Sequence, residues 1–541
     1  MSGALLQLAA LSSQDVYLTG NPEITLFKKK YMRYTNFSVE TVQVAFDGGS
    51  VSFSDTTTAT LEKTGDLISR IVLVINLQQL TSTVKWGYVD KIGHAIIDYV
   101  RISIGQSEID IRYNDWIDIY QRITKDNSQE NNYNTMIGNV SSLKKLSYSH
   151  DAYNLFIPLE FWTGKISSSA FPICSLLNQN FQVSVKFRDA IDCINYFGTT
   201  APSNNELPFI TSGYLLVDYI YLEIEERNLF ITNNHEYLIE VVDRMTDTLS
   251  AINTKINLTF NKPTKYMIWY AQLTKYAERS KFMSWATDDD WEKSRIEFAK
   301  LVWLITRQGL DTTDPNNPII NFGAGYVNIG TQPPIVVGGN TLFEALAAKV
   351  SAVILFASTD ISGDVIANAA PDNVALITNT ITFEDMSTTI DTFKADALST
   401  ATQDAFMDIY TNNIIDIFNY GNFINRSDNP IINSSFQLNG KNRFQERDGF
   451  FYNYLQSYYY FKNSPKDGVN IYTFSLYPEE LQPSGTINLG NVNSKDLLVT
   501  LGKYNAKNDN YLSYFNTGNI RIFALGYNNL KIFRGVAGLA Y

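Results

Sequence analysis

The feature that most constrains this 541-residue chain is a weak internal repeat, in which two series of strand-like runs follow one another in the same order. In the first half, LISRIVLVINLQ (67–78) precedes IIDYVRISIGQSEIDIRY (96–113), which alternates about a glycine turn, and then NDWIDIYQRI (114–123), which has helical spacing. NLFIPLEFW (154–162), FQVSVKF (181–187) and YLLVDYIYLEIE (214–225) complete the series. The second half runs the same course. It begins with INLTFNKPTKYMIWYAQ (256–272), IINSSFQLNGKNRF (431–444) and GFFYNYLQSYYYF (449–461), and continues with VNIYTFSLYP (469–478), DLLVTLGKY (496–504) and IRIFALGYNNLKIF (520–533). Each half has room for about eight short strands, the number in a jelly roll, where two antiparallel sheets bury alternate residues. A repeat of this kind fixes architecture before any local motif does. The expected fold is all-β, two tandem eight-stranded jelly rolls.

The halves differ in one place. Between the strands ending at Leu77 and starting at Ile96 lie 18 residues, whereas 158 separate Gln272 from Ile431. A loop of that length without structure of its own is implausible in a compact domain, so the second half is expected to carry a folded insertion. The insertion also holds the charge. Residues 286–420 contain 18 Asp/Glu against 6 Lys/Arg, a net of −12 that equals the net charge of the whole chain. An acidic appendage on a neutral β scaffold is the consequence. Its DDDWEKSRIEFAKLVWLITRQ (288–308) is helix-like. The run LFEALAAKVSAVILFA (342–357), interrupted by Glu344 and Lys349, reads as a buried helix rather than a membrane span.

Composition agrees with strands and argues against most chemistry. The chain has 33 Tyr and 32 Phe but only 3 His and 2 Cys, and aromatic residues favour pleated, half-buried surfaces. Cys174 and Cys193 cannot build a disulfide framework or a cysteine-rich zinc site, which points to a reducing compartment. The N-terminus lacks the order of a signal peptide, so the five N-x-S/T sequons, at Asn36, Asn139, Asn257, Asn425 and Asn433, carry no expectation of glycans. His94, His150 and His235 lack metal-ligand spacing, and HEYLI (235–239) has Ile239 where a zincin needs its second histidine. GAGYVNIG (323–330) lacks dinucleotide-fingerprint spacing and reads as a loop. Ser484 sits in a Pro-Ser-Gly turn without a base nearby, and Glu479 and Glu480, if on a strand, point to opposite faces. Asp288, Asp289 and Asp290 fit a helix N-terminus better than a cation loop, which would space its oxygens. The aromatic cluster 450–461 reads as packing between sheets or subunits, with a sugar platform as the alternative. No enzyme constellation, metal or cofactor is expected.

Five stretches carry a resemblance: QDVYLTGNPEITLFKKKYMRYTNFS (14–38), DYVRISIGQSEIDIRYNDWIDIY (98–120), LLVDYIYLEIEERNLFITNNHEYLIE (215–240), the blocks FQLNGKNRFQERDGFFYNY and GVNIYTFSLYPEELQPSGTINL within 436–489, and LGYNNLKIFRGVAGLAY (525–541). In order and spacing the chain resembles the major capsid proteins of nucleocytoplasmic large DNA viruses; its KIFRG stands where the family often has Met-Ser-Gly. The resemblance implies a double jelly roll, with residues 1–30 an arm under the capsomer, 31–228 the first roll and 229–541 the second. Residues 280–425 would be a tower between the fourth and fifth strands of the second roll, the strands labelled D and E. It further implies a structural protein of the virion capsid, made and assembled in the host cytoplasm, whose homotrimers form pseudo-hexagonal tiles of an icosahedral shell. The implied partners are neighbouring trimers, minor capsid and penton proteins, an internal membrane surface and, through the insertion, the host surface. A carbohydrate-binding β-sandwich and a minor or penton-type jelly-roll component are the alternatives.

KKKYMRY concentrates Lys28, Lys29, Lys30 and Arg33 in an acidic chain. Four cations are few for nucleic acid, where non-specific affinity scales with the phosphates neutralised, so direct genome contact is disfavoured. In the resembling proteins this segment lies on the inner side of the shell, which makes the four residues candidates for anchoring the tile to what lies beneath. Plain solvation of a surface segment is the simpler alternative.

Overall fold

The computed structural model describes residues 2–28, 31–144, 147–196, 202–273, 429–465, 468–504, 509–510 and 518–540, with short strand pieces between 319 and 341. Alternating side chains in the first half produce β1 (Phe37–Ala45), β2 (Thr56–Leu61), β3 (Leu67–Leu77), β4 (Leu80–Tyr88), β5 (Ile97–Ile104), β6 (Ser107–Tyr113), β7 (Ser147–His150), β8 (Tyr153–Leu159), β9 (Phe181–Phe187), β10 (Ile194–Tyr196) and β11 (Ile210–Leu222). One sheet has the order β1-β11-β3-β8 and the facing sheet β2-β9-β5-β6, while β10, β4 and β7 form a small side sheet. Numbering the eight sandwich strands along the chain, these orders are first-eighth-third-sixth and second-seventh-fourth-fifth.

The second half repeats that permutation. Its strands are β12 (His235–Leu249), β13 (Asn253–Asn257), β14 (Pro263–Leu273), β15 (Ile431–Leu438), β16 (Lys441–Asp448), β17 (Asn470–Thr473), β18 (Lys495–Leu501) and β19 (Gly518–Phe533), with a short β20 (Val536–Leu539) beside β19. The sheets run β12-β19-β14-β17 and β13-β18-β15-β16. Two jelly rolls in tandem are thus present. The β15–β16 hairpin turns on Asn439 (φ 49) and Gly440 (φ 77), the pair of left-handed residues that a two-residue type I′ turn needs.

Three readings of the sequence are corrected in detail. The run 256–272 is two strands in different sheets rather than one, because Asn261-Lys262-Pro263 turns the chain and proline opens β14. The insertion follows β14 and precedes β15, so the strands labelled D and E are the third and fourth of the roll, not the fourth and fifth. The run 469–478 is strand only over Asn470–Thr473 and then turns. The proposed tower lies outside the described residues except for two strand pairs, Ile319–Asn321 with Tyr326–Asn328 and Val336–Val337 with Asn340–Thr341. Asp288–Asp290 and the runs 288–308 and 342–357 lie outside them entirely.

Strand registers define two ends of the molecule. Phe37 pairs with Leu222 and His235 with Ile532 at one end, and helix α2 (Ile224–Thr232) joins the rolls there. Leu77 pairs with Ile210, and Leu249 and Leu273 both pair with Gly518, at the other. The N-terminal arm and the insertion therefore leave the scaffold from opposite ends. No described residue before Phe46 is buried.

The two rolls share a core. One apolar cluster holds the interior of the first roll and continues across to Tyr266, Ile268, Tyr270, Phe523 and Leu525 of the second. A separate cluster in the second roll takes the alternate residues of the same strands, Met267, Trp269, Ala271, Ile520, Ile522 and Ala524. The sheet β12-β19-β14-β17 is therefore covered on both faces along β14 and β19, which is why YMIWYA (266–271) reads as an unbroken apolar run.

Candidate functional site

The surface that closes this shared core is made by helix α1 (Asn114–Thr124), which directly follows β6. Nine of its eleven residues are buried. Trp116 stacks on Tyr266 at 6.2 Å between ring centroids and approaches Phe523 at 5.5 Å. Each such ring removes about 150–250 Å² from water, so these contacts dominate the apolar part of the seam.

Charged residues line the same seam, and every buried one has a partner. Asp115 accepts from the Tyr270 hydroxyl at 2.6 Å and from Arg521 Nη1 at 2.7 Å. Burial pushes the Asp115 carboxyl upward, but Arg521, the Tyr270 hydroxyl and Arg244 together hold it below the usual carboxylate range. Arg244 lies 3.6 Å from the Tyr113 ring centroid, a cation–π contact. Arg112 donates to Asp110 Oδ2 at 2.8 Å and to the Glu240 carbonyl at 3.2 Å, while Asp110 Oδ1 accepts from the Val242 amide. Burial dominates at Asp110 and raises its pKa in spite of Arg112.

Glu240 is fully buried between two lysines. Its Oε1 accepts from Lys265 Nζ at 2.6 Å and its Oε2 from Lys165 Nζ. Burial opposes the charged form, yet Lys165 and Lys265 hold the Glu240 carboxyl below its ordinary value. Lys265 also donates to the Glu480 carbonyl, which ties the PEELQPSGT block to the seam. That block is a turn rather than a strand: the Tyr477 amide donates to Ser484 Oγ at 2.8 Å, and the Lys462 amide to Glu479 Oε1 at 2.7 Å. Buried ion pairs of this kind gain little net stability over apolar isosteres, but losing one partner costs several kcal/mol. The seam thus pairs its buried charges, and two of the pairs, Asp115–Arg521 and Glu240–Lys165, run across the rolls.

The three histidines are held apart by separate hydrogen bonds. His94 reaches Asp118 and Tyr133, His150 the Trp86 carbonyl and His235 the Phe230 carbonyl. Among the described residues no group of three or more His, Cys, Asp or Glu could hold a metal, and no helix is long and apolar enough to cross a membrane. Both cysteines are free thiols.

Among the described residues, the arm and one helix leave large apolar side chains exposed. In the arm, Lys28 and Arg33 are exposed beside Phe27, Tyr31, Met32 and Tyr34; Lys29 and Lys30 lie outside the described residues. The helix is the segment α3 (449–460), the second roll's counterpart of α1. Tyr452, Asn453 and Ser457 face its own roll and are fully buried, whereas Phe450, Leu455, Tyr458 and Tyr459 are exposed, the two tyrosines by 78% and 69%. The aromatic cluster 450–461 is therefore half packing and half open surface. The seam residues were not singled out from the sequence. Asp115 and Arg521 are 406 positions apart, and only the repeat itself hinted that the two halves meet.

Comparison with known proteins places the whole chain. Residues 25–223 match the family described as the major capsid protein N-terminus, and residues 226–538 that described as the large eukaryotic DNA virus major capsid protein. Capsid protein 1 of Acanthamoeba polyphaga mimivirus is 31% identical, and the major capsid protein of Phaeocystis pouchetii virus 28%, each over 100% of both chains. Among solved structures, the PBCV-1 virus capsid protein aligns with a TM-score of 0.63 at 23% identity, covering 96% of this chain and 100% of that one.

Proposed function

This chain belongs to the large eukaryotic DNA virus major capsid proteins and has a structural role in the capsid, and from that premise we propose that its chemistry is self-assembly alone, three copies closing into a six-roll tile. One observation carries the proposal. Within the chain the rolls meet head to tail, α1 of the first on the outer face of the second roll's sheet, which leaves the aromatic edge of α3 exposed and the first roll's matching sheet face only partly covered, with Val72, Tyr214 and Leu216 part-exposed around a buried Val74. A head-to-tail contact continues from copy to copy until a rotation closes it into a ring. Permanent interfaces of this kind bury about 2,000–5,000 Å². Native mass with negative-stain imaging of the purified chain tests this: a compact trimer of hexagonal outline is expected, and a folded chain that stays monomeric overturns it.

The exit of the arm and of the insertion from opposite ends supports a polarity across the shell. In this reading residues 1–30 lie beneath the tile, and Lys28, Lys29 and Lys30, with the neighbouring Arg33, anchor it to minor capsid proteins or to an anionic internal membrane. A basic side chain near such a membrane contributes about 1 kcal/mol. Residues 31–228 and 229–541 are the two roll domains, residues 280–425 form an acidic cap toward the host, and assembly occurs in the host cytoplasm. Deleting 280–425 should leave the trimer intact. Neutralising the four cations should weaken shell attachment with the trimer preserved, and loss of the trimer would reject the anchoring role.

A further inference from the structure

The two rolls can be superposed by register once the single extra residues carried by β11, between Ile210 and Ser212, and by β16 are set aside. The fourth-to-fifth hairpin closes at Ile104 and Ser107 in the first roll and at Leu438 and Lys441 in the second; five residues back along the fourth strand, Tyr99 pairs with Tyr113 and Asn433 with Asp448. Asp448 therefore stands where Tyr113 does, Phe450 where Asp115 does, and Phe451 where Trp116 does. On the receiving sheets, Leu77 with Ile210 corresponds to Leu273 with Gly518. Counting inward, Val74 with Tyr214 takes the place of Tyr270 with Arg521, and Val72 with Leu216 that of Ile268 with Phe523.

The substitutions occur in matched pairs. Where α1 presents a carboxylate, its receiving sheet presents Arg521 and a tyrosine hydroxyl. Where α3 presents Phe450 instead, the equivalent sheet positions are Tyr214 and Val74, and both charges are gone together. Asp115 opposite Tyr214 would be a buried charge without a partner, and Arg521 opposite Phe450 another. The outer face of β3 also looks made for covering. An antiparallel strand with one wet face alternates, but Ile71-Val72-Leu73-Val74-Ile75 does not; on its outer face Val74 is already buried within the chain, whereas Val72 has only partial cover. Leu216, Tyr214 and Phe156 line the same face, each part-exposed.

We propose that the exposed aromatic edge of α3 docks on the β3–β11 face of a second copy of this chain, forming an apolar seam between copies where the seam within each chain is ionic. The proposal rests on the trimer reading and specifies its contact. Phe450 packs on Tyr214 beside Val74, and Phe451 approaches Leu216. Asp448 faces Gln43, the register equivalent of Arg244, since Gln43 pairs with Leu216 as Arg244 pairs with Phe523.

The test moves the ionic pair from one seam to the other. Phe450→Asp alone and Tyr214→Arg alone should each weaken trimerisation about 100-fold or more, the order expected when a charge is buried without its partner at an interface centre. The double variant should recover the trimer by recreating the Asp115–Arg521 pair between copies. Both residues are at least part-exposed in the single chain, and an unchanged near-ultraviolet spectrum of the single variants checks that the monomer still folds. A wild-type trimer that Phe450→Asp leaves intact, or single variants that dissociate without recovery in the double, overturns the docking and leaves the trimer reading standing. A wild-type chain that remains monomeric overturns the trimer reading itself.

Discussion

The outer faces of the two equivalent sheets differ sharply in what covers them. In the second roll Tyr266, Ile268, Tyr270, Phe523 and Leu525 are at most 1% exposed beneath α1. In the first roll the matching positions on β3 and β11 are Val74, Tyr214, Val72 and Leu216, the last three part-exposed, with Arg70 and Asp218 at the next pair. Topology and strand order are the same in both. The difference is therefore one of neighbours rather than of fold. Under the proposed docking, the first roll's outer face receives the next copy.

The comparison can be broken most severely at the covered sheet. Glu240→Ala leaves Lys165 and Lys265 facing each other in the seam and should cost about 3–5 kcal/mol of stability, read by urea unfolding of the chain. A loss below about 1 kcal/mol would mean that water reaches the seam and that the ionic geometry does not hold the rolls together.

A smaller effect separates the seam's carboxylates by pH. Asp115 and Glu240 titrate below their ordinary values in the folded chain. Their stabilisation is thus complete above the unfolded values of about 3.9 and 4.3, and is lost as pH falls through the lower folded values. Asp110 runs the other way. Its raised folded value makes it unfavourable at neutral pH, a penalty relieved as pH falls through that value toward the unfolded one. Unfolding curves from pH 7 to 3 should therefore show a steep acid-side loss that Asp115→Asn and Glu240→Gln each flatten, and that Asp110→Asn makes steeper above pH 4. An acid limb unchanged in all three would remove the seam from the account.

The smallest expected effect lies on the open helix. Tyr458→Ala and Tyr459→Ala should change the stability of the isolated chain by no more than about 0.5 kcal/mol, as surface substitutions do, although nine residues of the equivalent helix α1 are buried. A loss of 2 kcal/mol in the monomer would show that α3 is packed within its own chain and unavailable to another.

Much of the scaffold was legible before any coordinates. LISRIVLVINL, FQVSVKF and the Asn-Gly hairpin carry their periodicity and turn chemistry locally, and the order of such runs repeats. What escaped has physical reasons. β1 and β2 carry little apolar signature, since FSVETVQVA buries none of its residues and TTTATL is mostly threonine. The break inside 256–272 was hidden because covering β14 on both faces removed its alternation, so it merged with the strand before it. The seam was invisible because its pairs, Asp115 with Arg521 and Glu240 with Lys165, join residues with no sequence proximity and ordinary local surroundings. Of the four arm cations proposed as an anchor, Lys28 and Arg33 are exposed, as a contact with something outside the chain requires.

A structure of the assembled oligomer would decide whether one roll-to-roll contact is used twice. The account predicts a ring of six rolls in which residues 449–460 of each copy sit on β3 and β11 of the next, with Phe450 against Tyr214. A trimer in which those two surfaces both face solvent would contradict it.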